Sequence, residues 1–196
     1  FECNEDDCPD TIDYCLELYA GANLISFYAL PADSLISNVM SSLGDNVTGV
    51  ITEGGASTQI DGGWAGSLTT LSPKKGYWII VTTGGDLCLE DAMQTDPALE
   101  YNLNAGANLI SFPSEGSVDL GDALPDDIES YISGIITEGS AATPSINGGW
   151  AGSLTAFNGG KGYWMITTAD ISFSFDLTNL SIGRKKTDSD VGLIYP

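Results

Sequence analysis

The chain contains itself twice. GANLISF occupies Gly21–Phe27 and again Gly106–Phe112, and ITEG occupies Ile51–Gly54 and Ile136–Gly139. GGWAGSLT occupies Gly62–Thr69 and Gly148–Thr155, and KGYW occupies Lys75–Trp78 and Lys161–Trp164. The blocks keep their order at an offset of 85 residues (21 to 106), then 86 (62 to 148), with one residue inserted near Pro144. Four matched blocks in order mean duplication, so the unit that must fold is a small module used twice. The chain divides into an acidic, cysteine-containing segment 1–13, module one at 14–90, a linker 91–99, module two at 100–176 and a tail 177–196. Modules this small need extra stabilisation from staples or docking.

The pattern within a module predicts a mainly β, α+β unit, a small sheet or barrel-like body with one short helix. Strands are expected at 14–19, 22–28, 47–52, 67–71, 77–82 and 86–89. Leu24 and Ile25 are neighbours on a strand and point to opposite faces, which suggests a central strand covered on both sides. Leu35, Ile36, Val39, Met40 and Leu43 recur at helical spacing, with Asp33 as a cap and Gly44 as a stop. In module two Pro125 falls at the position of Met40, so only a short helical turn is expected there.

Charge excludes several functions. There are 27 acidic residues against 6 basic ones and no histidine, for a net charge of -21. Such a chain repels phosphate backbones and anionic membrane surfaces, so neither nucleic acid nor membrane insertion is expected. The charge reads first as a solubility device in a salty medium. Hydrophobic residues at 42% are enough for packed cores. The start at Phe1 reads as a removed leader or a trimmed chain.

The cysteines are Cys3, Cys8, Cys15 and Cys88. Without histidine or a CxxC pair, disulfides are the better reading than zinc, and they imply an oxidising compartment. Cys15 aligns with Glu100 and Cys88 with Ser174, so both are present in module one and both are missing from module two. That joint pattern pairs Cys15 with Cys88, first strand to last, and leaves Cys3 with Cys8. Four cysteines allow three connectivities.

The search for chemistry is largely negative. No histidine means no Ser-His-Asp or Cys-His arrangement, and no P-loop pattern occurs. Glu53 and Glu138, in the ITEG blocks, are the best paired acids. A catalytic pair needs two environments in one site, whereas these occupy equivalent places in two modules. They are expected to accept backbone hydrogen bonds in the turn that follows each of them. Trp64 and Trp150, in glycine-rich loops, either plug their own cores or stack on a sugar or partner. The plug is the favoured reading. Tyr77 with Trp78 and Tyr163 with Trp164 cannot all enter one core, since adjacent strand residues face opposite ways. An exposed ring there would mark an interface. No cofactor is expected. Asn4, Glu5, Asp6, Asp7 and Asp10 could hold Ca²⁺, but the EF-hand spacing is missing and a solvated acidic terminus is the simpler reading. The sequons at Asn46 and Asn179 are short enough to occur by chance.

The NLIS and GYW blocks, spread over most of residues 19–170, resemble a tandem "NLISF/P … GYW" repeat module of secreted or cell-surface proteins of marine bacteria. Module two keeps proline after its first block (Phe112-Pro113), and module one has Phe27-Tyr28. The resemblance implies an extracellular building block and supplies no catalytic residues.

At the ends, Arg184, Lys185 and Lys186 supply half of all basic residues, and six acids lie within residues 1–13. Leu193, Ile194 and Tyr195 form an apolar, strand-like stub. A frayed tail is the default for a terminus. The sharper expectation is an assembly tail that adds a strand to another copy. The leading reading is therefore a secreted, non-enzymatic structural protein that partners itself in a filament or surface layer. A glycan-binding adhesin, with polysaccharide as partner, and a virion surface or fibre protein are the alternatives.

Overall fold

A computed structural model describes residues 11–61 and 63–183. Module one runs β1 (Thr11–Leu18), β2 (Gly21–Ser26), β3 (Ala29–Leu30), α1 (Ile36–Val39), a 3₁₀ segment Ser41–Asn46, β4 (Val47–Thr52), β5 (Gly55–Ile60), β6 (Gly63–Gly66), β7 (Gly76–Val81) and β8 (Gly85–Gln94). Module two runs β9 (Tyr101–Leu103), β10 (Gly106–Ile110), β11 (Ser117–Asp119), α2 (Leu120–Ala123), α3 (Asp126–Glu129), β12 (Ile132–Thr137), β13 (Ser140–Pro144), β14 (Trp150–Gly152), β15 (Ala156–Asn158), β16 (Tyr163–Thr167) and β17 (Ile171–Phe173). The protein is mainly β with a few single-turn helices, as the sequence pattern predicts.

Each module is built on a five-stranded antiparallel sheet, ordered β2-β7-β4-β5-β6 in one and β10-β16-β12-β13-β14 in the other. Smaller sheets close the back: β1-β8-β3 in module one, and β9-β17 and β11-β15 in module two. Each module has its own core. Ile25, Phe27, Val50, Tyr77 and Ile79 centre the first, and Ile110, Phe112, Ile135, Phe157 and Tyr163 the second. Module two adds a ring cluster, with Phe175 edge-on to Tyr101, Phe112, Phe157 and Phe173.

The cross-strand staple expected from the repeat is present. Cys15 on β1 faces Cys88 on β8 and the two are disulfide-bonded, closing a separation of 73 residues. Cys3 and Cys8 lie outside the described residues.

Several expectations need correction. The predicted strand 67–71 is not one. Strand structure lies earlier, where β6 and β14 turn the "loop" tryptophans into members of a β-hairpin. The helix expected over 34–43 is one turn of α-helix followed by a 3₁₀ segment kinked at Gly44 (φ 53°). Asp33 is not its cap: Leu35 holds the N-cap position with no side-chain hydrogen bond to the helix, and the Asp33 carboxylate accepts the Leu35 N–H at 3.1 Å ahead of it. Pro125 splits the helical region of module two into α2 and α3. β8 runs through Gln94, well into the segment read as a linker. The tail is held at its start: Leu177 and Leu180 pack on core two, and Ser117 and Ser181 exchange two backbone hydrogen bonds of 2.9 Å. Among the described residues no helix is long and apolar enough to cross a membrane, which says nothing of a β-barrel.

Candidate functional site: the junction of the two modules

Three of the four repeated blocks meet at one place, the contact between the modules. β2 is not the central strand that Leu24 and Ile25 suggested. It is an edge strand within its own sheet, and the other module covers its outer side. Ile25 enters core one, whereas Leu24, 1% exposed, belongs to neither core. Its side chain lies against Gly162 of the opposite KGYW block, and Leu109 lies likewise against Gly76. Burying a leucine contributes about 1.5–3 kcal/mol, so this pair is a substantial share of the contact.

Backbone pairing accompanies the burial. Ile25 bridges to Lys161, and Ile110 to Lys75. Ser26 N–H donates to the Gly160 carbonyl at 3.0 Å, and Ser111 N–H to that of Lys74 at 3.3 Å. The serine hydroxyls also cross over, Ser26 to the Lys161 carbonyl and Ser111 to that of Pro73. The turn must come so close that a side chain would not fit. A Cβ on Gly162 would sit 2.8 Å from the Ile25 carbonyl oxygen, and one on Gly76 2.8 Å from the Leu109 side chain.

The ITEG acids complete the set. Glu138 Oε2 accepts the Leu24 N–H at 3.0 Å, and Glu53 Oε2 accepts the Leu109 N–H at 3.1 Å. They accept backbone hydrogen bonds, but from the opposite module's edge strand rather than from their own following turns. The Lys75–Glu53 ion pair, 3.4 Å, is exposed on both sides and adds little.

The rest of each block serves its own module. Asn23 and Asn108 staple the turn before each edge strand: Asn23 Oδ1 accepts the Tyr19 N–H at 2.8 Å, and Asn108 Oδ1 that of Asn104 at 3.0 Å. Tyr77 and Tyr163 enter the cores and accept the N–H of Ser72 and Asn158, both at 2.7 Å. Burial raises both phenols to about 12. Trp78 and Trp164 face the other way and are half-buried. Trp64 and Trp150 are half-buried against cores one and two, and Trp150 donates its indole N–H to Glu129 at 2.9 Å. Gly66 and Gly152 (φ 155° and 143°) let the hairpin bend, because a Cβ there would lie 2.1 Å from the carbonyl of Ala56 or Ala141.

Sequence reasoning missed the hairpin tips. Ile60 and Ile146, equivalent in the repeat, are 56% and 101% exposed beside the outer strands β6 and β14. Their shared position in both copies was the available signal. The Asn46 sequon is engaged: the Asn46 side chain bonds Thr82 and Thr83. Among the described residues no group of three His, Cys, Asp or Glu is placed to hold a metal. The proposed calcium cluster at 4–10 and the assembly-tail residues Arg184, Lys185, Lys186, Leu193, Ile194 and Tyr195 lie outside the described residues. What the fold and the junction define is a two-module β protein joined by reciprocal edge docking. No family model matches the chain, and no curated protein or solved structure matches it.

Proposed function

We propose that this is a non-enzymatic, extracellular structural protein that self-assembles as a filament or surface-layer subunit. One observation carries the reading: three of the four repeated blocks, GANLISF, ITEG and KGYW, are engaged in module-to-module docking. A module that recognises its own kind is the part an assembling protein needs. The Cys15–Cys88 disulfide supports an oxidising, extracellular setting.

The junction occupies the β2 and β10 edges, and among the described residues β6 and β14, the outermost strands of the two sheets, have no further strand paired to them. Their sequences, GWAG and WAG, carry no charge, which a chain of net charge -21 would have had ample means to provide. Natural edges are usually blunted with charge, proline or bulges. Assembly through these edges is tested by negative-stain electron microscopy and light scattering of the purified protein in seawater-like salt, with and without calcium. Regular fibres or sheets support it, and a monomer under every condition removes it. The glycan-binding alternative requires a tryptophan fluorescence change with polysaccharide that Trp64→Ala or Trp150→Ala abolishes.

A further inference from the structure

The chain holds two Asn-Gly pairs, Asn147-Gly148 and Asn158-Gly159. Such a pair carries a chemistry that needs no other protein group. The glycine amide nitrogen closes on the asparagine carboxamide carbon to give a cyclic succinimide, because no Cβ stands in the way and the glycine backbone turns freely. How firmly the fold holds each pair decides whether it reacts.

Asn158 is held from several sides. It ends β15, opposite Ser117. Its N–H donates to the Tyr163 hydroxyl at 2.7 Å, its carboxamide donates to the Ala156 carbonyl at 3.2 Å, and its carbonyl accepts the Lys161 N–H at 3.3 Å. The Gly159 N–H, whose nitrogen would attack, donates to the Gly116 carbonyl at 2.8 Å. A Cβ on Gly159 would lie 2.5 Å from the Ser114 carbonyl oxygen, so the backbone has little room to turn.

Asn147 stands outside such constraints. In module one the hairpin closes tightly, and the last pair of β5 and β6 is Ile60 with Gly63. The residue inserted near Pro144 lengthens the hairpin of module two, where the last pair is Pro144 with Trp150. Residues 145–149 therefore form a loop beyond the ladder, with exposed Asn147 at its middle beside the fully exposed Ile146. Gly148 and Gly149 have φ of 87° and 71°, and a Cβ on either would meet nothing within 4 Å. Among the described residues the Asn147 carboxamide makes no hydrogen bond, and its N–H reaches the Ser145 hydroxyl at 3.3 Å. The attacking Gly148 N–H has one bond to give up, to the Ser145 carbonyl at 3.0 Å. An opening confined to a surface loop costs little, whereas one that parts a strand ladder costs much of the unfolding free energy. The product has a counterpart within the chain. Asp61 holds the position of Asn147 in module one, so the same hairpin already accommodates a carboxylate there.

We propose that Asn147-Gly148 is a self-modifying site that turns a neutral hairpin tip into an anionic one. The Gly148 nitrogen gives its proton to hydroxide and bonds to the Asn147 side-chain carbon. The carboxamide nitrogen takes up a proton and leaves as ammonia. Water then opens the succinimide, at the side-chain carbonyl to give aspartate or at the main-chain carbonyl to give isoaspartate. Water in and ammonia out balance the step, with no oxidant or reductant. Either product sets a carboxylate at the end of the hairpin, beside β14, whose own residues carry no charge. Isoaspartate also lengthens the backbone inside the loop that the Ser145 N–H closes on the Gly149 carbonyl at 2.8 Å. Charge blunts a strand edge, so the conversion works against assembly through β14. That consequence alone rests on the assembly reading.

The test incubates the purified full chain in mildly alkaline buffer and follows both pairs by peptide mass spectrometry, with electron-transfer fragmentation to separate aspartate from isoaspartate. Asn147 should convert to both products, and Asn158 should react at least about tenfold more slowly, the difference in opening cost between loop and ladder. In urea that unfolds the chain the two should react at similar rates. An Asn147 that stays an amide, or an Asn158 that reacts as fast in the folded chain, would overturn the assignment. Asn147→Asp installs one product outright and should raise the protein concentration at which fibres or sheets appear. An unchanged threshold would remove the effect on the edge. A wild-type chain that never assembles would remove the assembly reading, while the mass spectra still decide the modification.

Discussion

Glu53 and Glu138 show how a residue can be read correctly in kind and wrongly in place. The repeat marks them as structural acceptors, but the N–H groups they satisfy belong to Leu109 and Leu24, across the junction. Glu138→Ala should therefore lower stability by about 1–2 kcal/mol, whereas Glu138→Gln, which keeps an acceptor, should lose less than half of that. Urea unfolding of the pair of variants checks it, and equal losses would assign the effect to charge. The tyrosines give a second prediction at this scale. Tyr28, Tyr77 and Tyr163 are raised to about 12 and Tyr14 and Tyr101 further, with burial the main cause in each. For Tyr28 the charge of Glu115 adds to burial. Well below pH 10 all five phenols are protonated in both states. As pH rises from 10 toward 12 the unfolded chain releases these protons first, so it binds fewer than the native chain and stability falls. Absorbance titration should show these five ionising late and together, at the alkaline unfolding transition.

At the scale of elements, the covered edge strands and the first-to-last staple matter most. Gly162→Ala places a methyl against the Ile25 carbonyl and should cost about 1–3 kcal/mol. Hydrogen exchange should quicken at Leu24 and Ser26 while core two stays protected. Gly121→Ala is the control: a Cβ there meets nothing within 4 Å, and alanine suits α2 better than glycine does. Replacing Cys15 and Cys88 with serine should cost about 4 kcal/mol by the loop-closure relation, read as a lower urea midpoint for module one alone. Module two has no such bond. The ring cluster around Phe175 and the backbone hydrogen bonds of its tail, Ser181 with Ser117 and Asp176 to Ala123, stand in its place.

At the scale of the molecule, the two sheets join at one pair of edges, and among the described residues no strand pairs with the other pair. Ala65→Lys and Ala151→Lys put a charge on β6 and β14, where both alanines are exposed. Together they should abolish assembly without moving the unfolding midpoint. Assembly that persists in the double variant would relocate the contact away from these edges.

The sequence by itself determined the duplication, the mainly β character and the order of most strands along the chain, and it favoured the Cys15–Cys88 pairing among three. Each of these is written in local spacing or in the comparison of one module with the other. Only the tertiary structure decided that Leu24 faces a neighbour rather than a second layer of its own module, and that Glu53 and Glu138 reach across to it. It also decided that the tryptophan "loops" are hairpin strands. Alternation along a strand says that both faces are covered, but it carries no information about which part of the chain covers them. For Leu24 that partner includes Glu138, 114 residues away, and for Leu109 it includes Glu53, 56 residues away, and proximity over such separations is set by packing, not by local pattern.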